Sequence, residues 1–225
     1  MPVQKRTLVS QIYEYLRGCI VNLSLKPGEK IDVKQLAQKF SVSQTPIREA
    51  LHKLTEQGLV VSKPYVGYFV VRLTPVDIEE LFDLRKALEM LALKYVFDSV
   101  DEELLRELRR RVNELTLKKR LDAILEETRK LDEDLHLNLL IRGTNNKWLT
   151  KVANGVIDLI KLTTRLSVNP EAAHEEHREI LEAIAERDLR RAAAALEAHL
   201  ERAKRDSIEA WQNQQAGDSS EEGMT

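Results

Sequence analysis

Four side chains in this 225-residue sequence stand on or beside helix stripes that should be apolar, and together they could hold a metal ion. His136, His177 and His199 fall on the inward stripes of three predicted helices, and Asp132 lies four residues before His136, on the same helix face. Three imidazole nitrogens and one carboxylate oxygen make a ligand set for a divalent cation. Each histidine alone reads as an ordinary core or boundary residue. The set with Asp132 reads otherwise, because polar groups buried without partners are costly and four of them in one small bundle are not independent accidents. His177 and His199 flank a turn near Asp188, which puts them at similar heights on antiparallel helices. His174 lies off the stripe and is expected at the surface. Glu133, Asp134, Glu175 and Glu176 flank the ligands and are expected to face solvent.

A second group could read nucleic acid. Gln44, Arg48 and His52 recur at steps of four with Thr45 beside them, opposite the apolar row Ile47, Ala50, Leu51 and Leu54. Such a row suits a major groove, where Gln pairs with adenine and Arg with guanine or phosphate. Lys34 and Lys63 could grip flanking backbone.

The elements that must position these groups follow from periodicity and punctuation. Val9, Ile12, Leu16, Cys19 and Ile20 predict a helix over about residues 7–22, and Lys26-Pro27-Gly28-Glu29 a turn. Val33, Leu36, Ala37 and Phe40 predict a short second helix. The third is opened by Ser43 or Thr45 as cap, with Pro46 in its first turn, and ended by Gly58. Leu59–Ser62 and Tyr68–Val71 are rich in β-branched and aromatic residues and predict a hairpin around Lys63–Gly67. Three helices and a hairpin make a winged helix-turn-helix over residues 1–74. Thr74-Pro75 then opens an antiparallel all-α bundle of about six helices over 75–212: 75–98, 101–118, 120–142, 146–168, 170–186 and 188–212. Residues 213–225 have almost nothing to bury and are expected to be a disordered tail. The fold class is mainly α.

Charge divides along the same line. Residues 1–75 carry 11 Lys/Arg and 5 Asp/Glu, a net of +6, and the remainder nets −8 to give the overall −2. A basic first third points to a polyanion partner for that part alone. One cysteine, Cys19, excludes an intrachain disulfide, and no apolar run is long enough to span a membrane. The expected setting is the cytoplasm, with no membrane partner. No Gly-rich phosphate loop, obvious nucleophile or inner-stripe general base beyond Asp132 stands out, so a metal-dependent hydrolase is disfavoured and no catalytic residue is assigned.

At this point the sequence resembles a family. Leu25-Lys-Pro-Gly-Glu-Lys30, Leu36-Ala37, Val42-Ser-Gln-Thr-Pro-Ile-Arg-Glu-Ala-Leu51, Glu56-Gln-Gly-Leu59 and Gly67-Tyr-Phe-Val70 occur in order and look like the DNA-binding domain of GntR-family bacterial regulators. The resemblance implies that Lys34, Ser43, Gln44, Thr45, Arg48 and Gly67 are DNA-contacting positions. The family usually has Arg where this chain has Gln44, so operator preference does not carry over. Leu84-Arg-Lys-Ala-Leu-Glu89, Asp132-Glu-Asp-Leu-His136, Arg142-Gly-Thr-Asn-Asn146, Glu176-His-Arg-Glu-Ile-Leu181 and Ala198-His-Leu200 look like the FCD domain of the FadR-like branch. A count of six C-terminal helices places the chain nearer the VanR-like subgroup. The resemblance implies a metal, commonly zinc or nickel, on Asp132, His136, His177 and His199. It also implies an effector role for Arg85, which would help hold an organic acid at that metal; the residue alone reads equally as an ion-pair partner of a neighbouring acid.

The expected function is therefore a homodimeric regulator that reads a palindromic operator in double-stranded DNA and responds to a small carboxylate. Two alternatives stand beside it: the metal is itself the signal, or four protein ligands close a purely structural site.

Overall fold

The computed structural model describes residues 7–115, 121–165 and 169–222. The chain divides into two compact units: residues 1–74 with 155–165, and residues 75–154 with 166–225.

The first unit starts with α1, Leu8–Val21, capped by Thr7, whose hydroxyl accepts from the Ser10 amide. α2, Val33–Phe40, is capped by Asp32, which accepts from the amides of Lys34 and Gln35. α3, Gln44–Glu56, follows after a short turn. Its apolar row Ile47, Ala50, Leu51 and Leu54 is fully buried against Ile12, Leu16 and Ile20 of α1. Gly58 ends α3 at φ +75°, and the Leu59 amide bonds back to the Leu54 carbonyl. A residue with a Cβ would strain that left-handed position.

The wing is a three-stranded antiparallel sheet rather than a bare hairpin. β2, Val60–Lys63, and β3, Gly67–Val70, pair with Lys63 opposite Gly67, leaving Pro64, Tyr65 and Val66 as the loop. β1, Lys30–Ile31, pairs with the far edge of β3, giving the order β1-β3-β2. Two residues carry too little pattern to be read as a strand from sequence.

Residues 155–165, expected within the bundle, belong to this unit as well. Leu159 packs on its core, and Asp158 holds Arg17 of α1 in a two-pronged ion pair at 2.5 and 2.6 Å. The helix period shows which face is apolar but not which core it joins, so this docking was not visible in the sequence.

The second unit contains α4, Pro75–Val96, α5, Glu102–Leu115, α6, Leu121–Glu133, the first half of α7, Lys147–Thr164, then α8, Pro170–Ala185, and α9, Leu189–Glu222. The expected end of the second bundle helix and the expected start of the third fall in 116–120, and the expected end of the fourth in 166–168, outside the described residues. Cross-helix pairs set the directions. Arg85 meets Asp132 and Glu89 meets His136, so α4 runs parallel to the α6 segment. Glu176 meets Arg202 and Glu179 meets Arg191, so α8 and α9 are antiparallel.

Two expectations are corrected here. The helix expected over 120–142 changes at Asp134 into a π-helical segment, Asp134–Ile141, which carries His136. π-Helical turns cost regular hydrogen bonding and gather at functional sites. The tail expected to be disordered from 213 is helical through Glu222, with 223–225 outside the described residues. Gln and Ala at 212–216 are good helix formers, and extending an anchored helix needs no new nucleation. Among the described residues no helix is long and apolar enough to cross a membrane.

Candidate metal centre and DNA-reading face

The bundle brings Asp132, His136, His177 and His199 together from three helical segments, with one ligand atom of each within 4.8 Å of all the others. His136 Nε2 and His199 Nε2 are 3.1 Å apart. Asp132 Oδ1 lies 3.5 Å from His136 Nε2, 3.6 Å from His177 Nε2 and 3.9 Å from His199 Nε2. The ring centroids of the three histidines are 4.7 to 5.5 Å apart. All three imidazoles are buried, while Asp132 keeps 35% of its side chain exposed. Neither ring nitrogen of His177 has a hydrogen-bond partner among the described residues. A buried imidazole left so is costly unless something else meets it.

Two carboxylates behind the histidines complete the arrangement, and sequence reasoning assigned neither a role. Glu89 Oε2 lies 2.5 Å from His136 Nδ1, and Glu176 Oε2 lies 2.8 Å from His199 Nδ1. Each holds its ring by Nδ1, leaving Nε2 as the lone-pair nitrogen facing the centre. Glu89 carries a weak sequence signal, sitting on the inner stripe of α4 four residues after Arg85. Glu176 was expected in solvent; it is instead half-buried between His199 and Arg202, whose Nε donates to it at 2.6 Å. Only the packing of α8 on α9 puts it there. Asp134, also expected in solvent, pairs with Arg111 at 2.7 Å. Glu133 and Glu175 are exposed as expected.

His174, expected at the surface, is buried, and neither of its nitrogens has a partner among the described residues. Arg85 is buried as well. Its Nε donates to Glu89 at 2.6 Å, its Nη2 lies 3.6 Å from Asp132, and its Nη1 has no partner among the described residues. It is thus an ion-pair residue that still has unused donors beside the centre.

The ionisation states are those of metal ligands, a charged carboxylate and neutral imidazoles. Burial opposes ionisation of Asp132, but Arg85, His136 and His177 outweigh it and hold the carboxyl well below its usual range. Burial also opposes ionisation of Glu176, yet His199 and Arg202 bring it down to about 2. Burial pushes His177 below its ordinary value and His199 down to about 3. Both are neutral near pH 7, the form that ligates a metal.

In the first unit, Gln44, Thr45, Arg48 and His52 all stand exposed on α3. Arg48 Nη2 donates to Gln44 Oε1 at 3.3 Å, which aligns the two side chains along the helix, and His52 rests 3.5 Å from Glu56. Ser43, not Thr45, takes the N-cap position, and its exposed hydroxyl makes no capping bond. The first amides of α3 therefore lack that partner and suit a phosphate. Lys34 is exposed on α2, and Lys63 is exposed at the end of β2 with its Nζ 4.7 Å from the Phe69 ring centroid. Gly67 sits at φ +133°, where a Cβ would also press to 3.3 Å from Lys30 Cε.

A winged helix-turn-helix unit with a polar recognition helix, followed by a helical unit built around a polar cluster, defines a DNA-binding regulator. The GntR family of bacterial regulatory proteins matches residues 8–70, and the FCD domain matches residues 80–202. The chain is similar to an HTH-type transcriptional regulator from an unstable DNA locus of Streptomyces ambofaciens, 36% identical over 91% of this chain and 86% of that protein. It superposes on a putative GntR transcriptional regulator from Rhodococcus sp. RHA1 with a TM-score of 0.76 at 21% identity, covering 90% of this chain and 98% of that one. The zinc-bound FCD domain of TM0439 matches with a TM-score of 0.56 at 25% identity, over 61% of this chain and 96% of that one. The chain belongs to the GntR family and carries an FCD domain. It is a DNA-binding transcription regulator and not an enzyme.

Proposed function

We propose that Asp132, His136, His177 and His199 hold one divalent cation, zinc or nickel, and that a small carboxylic acid bound beside it at Arg85 tunes operator binding. One observation carries this reading: four ligand atoms from three helical segments converge in a largely buried site, within 4.8 Å of one another. A bound cation acts as a Lewis acid that attracts a carboxylate oxygen. Glu89 and Glu176 orient His136 and His199, and Arg85 offers unpaired donors to the same anion. Those donors favour an acid over the metal itself as the signal.

In this reading Ser43, Gln44, Thr45, Arg48 and His52 meet the operator through the first turns of α3, with Lys34, Lys63 and Gly67 on flanking backbone. Two copies of the chain read the halves of a palindrome in the cytoplasm. An apolar stripe on α4, Leu84, Leu91 and Tyr95, is exposed along one face and supports pairing with a second copy. The acid changes DNA affinity only as far as it binds one arrangement of the bundle better than another.

The test is metal content by mass spectrometry on untagged protein purified without chelator, beside His177→Ala. The expected result is about one ion per wild-type chain, lost in the variant. No metal, or equal traces in both proteins, sinks the four-ligand centre.

A further inference from the structure

α7 is one unbroken helix shared by the two units: its residues up to Asn154 belong to the bundle, and those from Gly155 onwards belong to the winged unit. Each half is tied down by its own bonds. Just before the helix, Thr144 Oγ1 donates to the Ile141 carbonyl at 2.8 Å and accepts from the Asn146 amide at 3.1 Å. Asn146 Oδ1 in turn caps α7, accepting from the amides of Trp148 and Leu149 at 3.0 and 3.1 Å. The first half is thereby fixed to the end of the π-helical segment that carries His136.

The second half grips the winged unit. Asp158, itself buried, holds Arg17 of α1 through two bonds. Arg165, one residue past the helix, donates to Asn22, the residue that ends α1, at 2.8 Å. Leu159 packs on the core, with its Cδ1 3.6 Å from where a Cβ on Gly58 would stand, just past α3. Gln44, Thr45 and Arg48 stay exposed at the other end of α3, so the grip leaves the reading row open. An apolar contact can slide, but two parallel N–H···O bonds in a part-buried ion pair fix direction. The pair thus contributes orientation more than stability.

Between the two anchorages stand Asn154 and Gly155, side by side inside the helix and both exposed. Both are poor helix formers, and glycine is the poorest after proline. Packing does not explain the glycine, because no neighbour lies within 4 Å of where its Cβ would be. Alanine would fit there and hold the helix better. The weakest pair of residues in α7 therefore falls at the boundary between the units. We propose that α7 is a jointed strap: Arg17 and Asp158 clamp its second half to the winged unit, and Asn154-Gly155 is the joint at which that unit swings while the first half stays with the bundle. Asp158 and Gly155 are then positioning residues for operator binding, although neither belongs to the reading row. The device does not depend on what occupies the centre.

Hydrogen exchange by mass spectrometry on the full-length protein tests this, beside fluorescence anisotropy with a duplex selected for binding from a random pool. In the wild type the amides of residues 155–159, whose helix bonds cross the joint, should exchange about tenfold faster than those of residues 160–163 beyond it. Gly155→Ala should slow the crossing amides about fivefold, the ratio that follows from trading a helix-interior glycine for alanine. It should move duplex affinity by about the same factor, because it favours the unbroken helix over one opened at the joint and DNA selects between them. The affinity rises if the unbroken helix is the reading arrangement and falls if the opened one is. Gly18→Ala, the same trade at open space inside α1, should leave the affinity unchanged. Asp158→Asn should speed exchange over residues 155–164 by about tenfold and leave residues 148–153 as they were. Should that variant fail to fold, the wild type and the two alanine variants carry the test. Even exchange over residues 155–163, an affinity that Gly155→Ala leaves unmoved or that Gly18→Ala moves as far, or exchange in Asp158→Asn that rises equally in both halves of α7 overturns the inference.

Discussion

The winged unit and the helical bundle place their candidate functional polar residues on opposite faces of their helices. α3 buries Ile47, Ala50, Leu51 and Leu54 and turns Gln44, Arg48 and His52 to solvent. These exposed side chains cost the fold almost nothing, because they keep their water. The bundle does the reverse: His136, His177, His199, Arg85 and Glu89 are buried, and partners must offset their lost hydration. Function and stability should therefore be separable in the first unit and coupled in the second.

The sharpest way to break that contrast is Arg85→Leu. It strips a partner from buried Glu89 and from Asp132, and should destabilise the chelated protein by about 3–5 kcal/mol. Denaturant unfolding measures it, and a loss below about 1 kcal/mol would mean that the cluster is held no more tightly than a surface pair. Arg48→Ala should do the opposite. It should cost about 1–3 kcal/mol in binding to an operator selected from random duplexes, read by fluorescence anisotropy, with an unfolding midpoint essentially unchanged.

pH sharpens the contrast further. His199 is depressed to about 3 in the fold against an ordinary 6.5, and His177 is depressed too. The unfolded chain thus binds more protons as pH falls below 6.5, and stability drops through that window. Glu176, at about 2 against an ordinary 4.5, adds a fall of the same sign at lower pH. In chelated protein the loss between about pH 6.5 and 5 should come from the histidines, and replacing His177 and His199 together by Leu should reduce it in urea titrations, leaving the share of His174, which burial also depresses. The smallest effect belongs to Lys63→Ala, which should lower the slope of log affinity against log salt by about one and weaken all duplexes alike.

The two units also differ in how much of each could be read in advance. α3 and its outward row follow from a single period, because an exposed face needs no partner to define it. The candidate ligands were legible for the converse reason: three histidines on apolar stripes conflict with their surroundings, and such conflicts mark sites. Glu176 was not legible. Its position next to His177 points it away from α8's own stripe, and only the neighbouring α9 turns that direction into a contact with His199. His174 failed in the same way, since helical phase alone cannot tell solvent from a third helix.

The sequence alone determined the winged reader, the helical class of the remainder, the charge division and which four side chains could converge, because these depend on local period, capping and residue chemistry. Only the tertiary structure decided that residues 155–165 join the first unit, that a π-helical turn carries His136, that Glu89 and Glu176 hold the imidazoles, and that His174 is buried. Those outcomes depend on which helices become neighbours and in what register, and a one-dimensional pattern does not encode neighbours until the chain has packed.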